Sequence, residues 1–333
     1  MKRVGIGLLI GCLLSGAALA ADDAAANKPG DAKPVNAVIT IGMIGNLVET
    51  VGGECVDATT IMGPGTDPHL YEPRPSDVQA FRDAEIIFYS GYTLEGQLGD
   101  VLEKFGRQKP TVAVSPASIE PSELIQTQDI YGIDPHLWMD VALWSQTVPT
   151  MAEKLSKVRP ACADTFQANA ETLQPTLAAL DGWIEKSVAS IPESQRILVT
   201  AHDAFSYYGR AYGIEVAGIQ GISTESQAGI ADIREMAKTV AERNVPAVFI
   251  ESTINPRTIQ AVVDAAEERG QPVEIGGELY SDAMGGPDEV GGTYIGMLYA
   301  NTRTIVNALG GEPAPLPDAL AEWAAAHDVD AGA

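Results

Sequence analysis

From residue 37 to residue 114 the chain alternates short apolar, β-rich runs with stretches whose apolar residues recur at helical intervals. The runs fall at 37–41, 56–62, 85–89 and 111–114, and the segments between them close at Gly52-Gly53 and at Gly106. A strand followed by a helix, repeating at a spacing of about thirty residues, predicts a mainly parallel sheet covered by helices on both faces. Ser76-Asp77-Val78-Gln79 has the spacing of a capping box and predicts a helix from Ser76.

Between 160 and 191 the pattern becomes purely helical. Leu173, Leu177, Leu180, Trp183, Ile184 and Val188 recur every three or four positions, which predicts one long helix over 163–190 that Pro175 bends or interrupts. The strand and helix alternation then resumes. Strands are expected at 196–200, 215–219, 246–250 and 272–275. Helices are expected up to residue 212 with Gly213 as the stop, at 226–243, from Asn255-Pro256 to Gly270, and at 292–309. The predicted fold is α/β: two lobes, each a mainly parallel sheet flanked by helices, joined by one long connecting helix. The expected divisions are a lobe at 37–159, the connector at 160–191, a second lobe at 192–312 and a Pro- and Ala-rich tail at 313–333, partly ordered at best.

A length of 333 residues and 45% hydrophobic content allow a sizeable core. The net charge of -24 excludes a nucleic-acid partner, which would need a basic face. Lys2 and Arg3, an apolar run to Ala18, and small residues before Ala21 form an export signal with cleavage expected after Ala20, followed by a leader at 21–36. The alternative is a lipidated Cys12, since Leu9-Ile10-Gly11-Cys12 resembles a lipoprotein cleavage box. Either way the mature protein works outside the cytoplasm, where Cys55 and Cys162 are free to pair or to stay reduced. Their distance along the chain does not decide between the two.

Four histidines are present, and the placement of three gives them chemical interest. Asp67-Pro68-His69 recurs as Asp134-Pro135-His136, and in each copy the proline stiffens the backbone that carries the imidazole. His202 follows the apolar run 197–199, and Asp282 lies in a Gly-flanked segment after the last expected strand. In open α/β sheets ligands collect beyond the carboxyl ends of strands, which is where His69, His202 and Asp282 fall, while His136 precedes a helix expected to begin near Asp140. Together they make a three-nitrogen, one-oxygen metal site in the cleft, with two ligands from each lobe. Glu251, at the end of another strand, is a candidate acceptor for a ligand imidazole, and Asp203 a candidate cap for the helix after His202. His327, in the tail, is assigned no role.

Neutral imidazoles suit zinc, and a carboxylate adds tolerance for manganese. Four protein ligands also fill a tetrahedral shell, whereas a catalytic zinc keeps a position for water, so binding is favoured over catalysis. Affinity is expected to weaken below about pH 6.5, where free imidazole protonates.

Asp67-Pro68-His69-Leu70-Tyr71-Glu72-Pro73, Asp134-Pro135-His136-Leu137-Trp138-Met139-Asp140, Ala201-His202-Asp203-Ala204-Phe205 and the segment from Ile275 through Asp282 resemble the motifs of the zinc and manganese solute-binding proteins of ABC importers, the TroA-like family. The resemblance covers residues from about 37 to 310. It implies one Zn2+ or Mn2+ ion held by His69, His136, His202 and Asp282 between the lobes, delivery to an ABC permease in the cytoplasmic membrane, and limited lobe closure about the connecting helix. A monomer is expected. Zinc-specific members often carry a His-rich loop, absent from 116–131 here, while manganese-specific members often have glutamate where this chain has His202. Both ions therefore stay open. The competing readings are a metal-dependent hydrolase, with water in place of Asp282 and Glu251 as base, and a surface adhesin or organic-solute receptor using the same cleft.

Overall fold

The computed structural model describes Met1, residues 33–128 and residues 132–329. The expected export segment, its cleavage point after Ala20, Cys12 and most of the leader lie outside the described residues.

The first lobe is built on β1 (Val35–Ile41), β2 (Val56–Met62), β3 (Ile86–Tyr89) and β4 (Thr111–Ala113), all parallel and ordered β2-β1-β3-β4. The first strand starts at Val35, ahead of the expected Ala37, because Val35 already pairs with Val56 in the ladder. Central β1 is buried along almost its whole length, as a parallel strand covered on both faces must be. The crossovers are α1 (Gly42–Gly52), α2 (Pro75–Asp83) and α3 (Gly99–Gly106). Helix α2 begins at Pro75, not Ser76: the Asp77 carboxylate accepts from the Arg74 N–H at 2.7 Å and closes the box two positions ahead of the expected one. Proline at the first helical position costs no hydrogen bond there, which favours the earlier start. After β4 come α4 (Val114–Ser118), α5 (Val141–Ser145), capped by the Asp140 side chain on the Leu143 N–H, and α6 (Thr147–Val158).

The connector, α7 (Ala163–Ala189), has 27 residues, a length of about 40 Å at the usual rise. It continues through Pro175 without interruption. Pro175 is exposed, while Leu173 and Leu177 on either side are buried in the same core, so one missing backbone hydrogen bond is outweighed by apolar anchoring. Cys55 and Cys162 are disulfide-bonded, with Cα atoms 6.4 Å apart, and tie the segment before β2 to the start of α7.

The second lobe contains β5 (Ile197–His202), α8 (Ser206–Tyr212), β6 (Glu215–Gln220), α9 (Ile230–Arg243), β7 (Ala247–Glu251), α10 (Arg257–Glu267), β8 (Glu274–Leu279) and α11 (Tyr294–Ala308). Its strands form two parallel pairs, β5 with β6 and β7 with β8, in place of one continuous ladder. Gly213, in the left-handed region at φ 71°, ends α8 as expected. The lobe has a separate small core in which Ile197, Val199 and Ala201 of β5 meet Val248 of β7 and Val240 and Val262 of the helices. Leu198 and Phe249 belong instead to the large core that joins the first lobe, the connector and α11.

The tail is better ordered than its composition suggested. Residues Ala321–Ala326 form α12, Trp323 sits against Tyr299 with ring centres 5.2 Å apart, and the Trp183 indole donates to the Ala314 carbonyl at 2.7 Å. Leu320 and Trp323 supply enough buried apolar surface to dock the segment on α7 and α11. Among the described residues no helix is long and apolar enough to cross a membrane.

Candidate metal centre

His69 lies in the loop between β2 and α2, and His136 just before α5. In both, the aspartate two positions earlier folds back on the histidine backbone: Asp67 Oδ1 accepts from the His69 N–H at 2.9 Å, and Asp134 Oδ1 from the His136 N–H at 3.0 Å. The repeated tripeptide is thus a turn in which proline and aspartate fix the imidazole's backbone together.

His202 is the last residue of β5, not a loop residue beyond it. Side chains alternate across a strand, so with Ile197, Val199 and Ala201 on the small core, Leu198, Thr200 and His202 face the other way. The same parity on β7 puts Glu251 on the face of Phe249. The two faces meet: Glu251 Oε1 accepts from the His202 N–H at 2.8 Å, and Oε2 lies 2.6 Å from His202 Nδ1. Asp282 follows β8 on a clamped segment. Asn301 of α11 both donates to the Tyr280 carbonyl and accepts from its N–H, and the Trp138 indole donates to the Ser281 carbonyl at 2.9 Å.

The four side chains converge. One donor atom from each of His69, His136, His202 and Asp282 lies within 4.8 Å of the other three. Asp282 Oδ2 is 3.2 Å from His202 Nε2 and 3.7 Å from His69 Nε2, while Oδ1 is 3.3 Å from His136 Nε2. His69 Nε2 and His136 Nε2 are 3.3 Å apart. All four residues are buried, and His69, the most exposed, shows 3% of its surface. The two Asp282 oxygens and His202 Nε2 approach one another without an aligned hydrogen bond. Buried polar atoms left so are costly, and lone pairs pointed at one small volume fit a cation.

Carboxylates behind the imidazoles set which nitrogen faces inward. Glu251 takes Nδ1 of His202 and Asp134 Oδ1 lies 2.8 Å from Nδ1 of His136, which leaves Nε2 for the centre in both. Burial pushes the His136 imidazole down, but Asp282 and Asp134 together raise it to about 9. Burial likewise opposes charging of His202, and Glu251 and Asp282 lift it well above the ordinary value. At His69 burial wins and lowers the imidazole to about 3. Burial favours a neutral Asp282, yet the charges of His202 and His136 hold it well below the usual carboxylate range.

Asp134 is the contributor that the sequence alone did not reveal. Its twin Asp67 makes the same turn but spends its second oxygen on the Thr224 hydroxyl, 2.6 Å away in the other lobe, so the motif by itself does not say which aspartate reaches an imidazole. Asp203 does not cap α8: Phe205 occupies the cap position, and Asp203 Oδ1 accepts from the Ser206 hydroxyl at 2.7 Å. His327 lies away from the centre, stacked on Trp323.

A family model described as the periplasmic zinc-uptake complex component A, ZnuA, matches residues 37–308. The chain belongs to this family. Two curated relatives are similar over most of their length. The manganese-binding lipoprotein MntA of Bacillus subtilis (strain 168) is 44% identical over 270 residues, covering 81% of this chain and 88% of the relative. The zinc-binding protein TroA of Treponema pallidum (strain Nichols) is 43% identical over 292 residues, covering 88% and 92%. The solved structure of the periplasmic zinc-binding TroA from Treponema pallidum superposes with a TM-score of 0.81 over 84% of this chain and 99% of that one. ZnuA-family proteins are substrate-binding components of ABC metal importers, not enzymes. The geometry agrees with that division. Both oxygens of Glu251 are engaged by His202, so the group that a hydrolase would need as base faces away from the centre.

Proposed function

We propose that this protein captures one zinc or manganese ion outside the cytoplasm and hands it to an ABC permease of the cytoplasmic membrane, with His69, His136, His202 and Asp282 as the ligands. Asp134 and Glu251 orient two of those ligands from behind. The protein acts as a monomer, exported by its N-terminal segment, with lobes at 37–159 and 192–312 and the connector at 160–191 between them. The observation that carries the reading is the convergence of four buried donors, two from each side of α7, on a volume the size of one ion. Relatives named for manganese and for zinc are almost equally similar, so the names do not separate the two metals. The donor set does lean: three imidazoles and one carboxylate suit tetrahedral zinc, and they admit manganese.

The test is metal analysis of the purified full chain. One ion per chain is expected, and His69→Ala and His202→Ala should each weaken binding by more than about 100-fold, beyond what loss of an outer hydrogen-bond partner costs. Retention of tight binding by both variants would remove the site.

A further inference from the structure

Behind His69 lies a turn held largely in the left-handed region. Gly91 has φ 93°, Tyr92 50°, Thr93 67° and Gly96 44°. Tyr92 and Thr93 carry β-carbons and do not adopt that region without support from their surroundings. The support is Glu95, which is 2% exposed. Its Oε1 accepts from the Ser90 N–H at 2.6 Å and the Thr40 hydroxyl at 2.9 Å, and its Oε2 accepts from the Gly91 N–H at 3.2 Å. Thr40 lies at the end of β1, and Ser90 directly follows β3, so a single carboxyl group laces two strand ends to the turn. Burial pushes that carboxyl upward and its donors pull it back.

The far end of the turn is seated against the first ligand. A β-carbon placed on Gly96 would stand 2.6 Å from the His69 carbonyl oxygen. His69 is therefore gripped through its backbone from two sides, by the Asp67 carboxylate on its N–H and by the 91–96 turn at its carbonyl.

We propose that Glu95 is a positioning residue for metal capture: it fixes the 91–96 turn on which the His69 backbone rests, and so sets where the His69 imidazole meets the other donors. This inference rests on the metal-capture reading above. A carboxylate that served only the core would affect how much protein folds, not how the folded protein holds its ion.

Cobalt(II) separates these roles, because its visible absorption reports the ligand geometry. Glu95→Gln puts an amide N–H against the N–H groups of Ser90 or Gly91, and Gly96→Ala keeps the carboxylate but crowds the His69 carbonyl. Each folded variant should bind one cobalt per chain with a shifted visible spectrum and an affinity about 10- to 100-fold weaker, the range for groups that orient a ligand. Wild-type affinity and spectrum in folded Glu95→Gln, whatever Gly96→Ala shows, would overturn the proposal. So would a reduced bound fraction whose remaining sites keep the wild-type affinity and spectrum. If Glu95→Gln does not fold, Glu95→Asp, which keeps the charge and shortens its reach to Ser90 and Thr40, takes its place with the same expected outcomes. Failure of wild-type protein to bind cobalt, or full binding by His69→Ala, would instead bring down the metal reading, and this inference with it.

Discussion

The imidazoles of His136 and His202 each face two carboxylates, and that pairing governs how the site meets an ion. With His136 raised to about 9 and His202 also raised, the carboxylates beside both imidazoles favour their protonated forms before metal arrives. If they ligate as proposed they must be neutral, so a dication would have to displace those protons. The sign follows: affinity rises with pH up to about 9 and falls as pH drops below it, by about tenfold per pH unit for each proton displaced. Free imidazole alone would have placed the onset near pH 6.5, and the neighbouring carboxylates move it upward. Calorimetry in buffers of different ionisation enthalpy should find about two protons released per ion near neutral pH. A constant affinity between about pH 7 and pH 9 would contradict this ionisation scheme. At this scale the residues that converge were legible because histidine is rare here and two copies sit in proline-stiffened repeats. Asp134 was not, because the same tripeptide turns its aspartate to the imidazole in one copy and to the Thr224 hydroxyl in the other.

Among the elements, strands and their order along the chain could be read from apolar runs, since a fully covered parallel strand has few polar positions to blur it. The connector could be read too, although Pro175 does not interrupt it. A proline inside a helix removes one hydrogen bond, while the stripe from Phe166 to Val188 is buried along the whole helix. Pro175→Ala should raise stability by about 1–3 kcal/mol, measured by denaturant unfolding, since position 175 is exposed and the backbone is already helical. The loop of 221–229 presents a second test. Thr224 donates to Asp67, which holds the His69 N–H, so this hydroxyl links the second lobe to a proposed ligand of the first. Thr224→Val keeps the shape and removes the link, and release of bound metal to an excess of chelator should quicken by about tenfold, as loss of a hydrogen bond to a charged group predicts. Stopped-flow traces that match wild type would dismiss the link as idle.

For the whole molecule, the disulfide and the packed tail were the parts that sequence pattern concealed. Both depend on proximity in space: Cys55 and Cys162 come together only once α7 lies on the first lobe, and Trp323 finds its pocket only beside Tyr299. The bridge closes a long loop, so replacing both cysteines by alanine should lower stability by about 2–4 kcal/mol, read from unfolding of the metal-free protein. The same variant should still take up one ion, since the bridge touches none of the four donors. The order of those donors along the chain has its own consequence. His69 and His136 precede α7, and His202 and Asp282 come after it. A nascent polypeptide therefore offers two of the four proposed donors before His202 and three before Asp282, and the set is complete only once β8 has taken its place. If those four hold the cargo as proposed, a product that stops short of residue 282 meets its ion with an incomplete set of donors and releases it sooner.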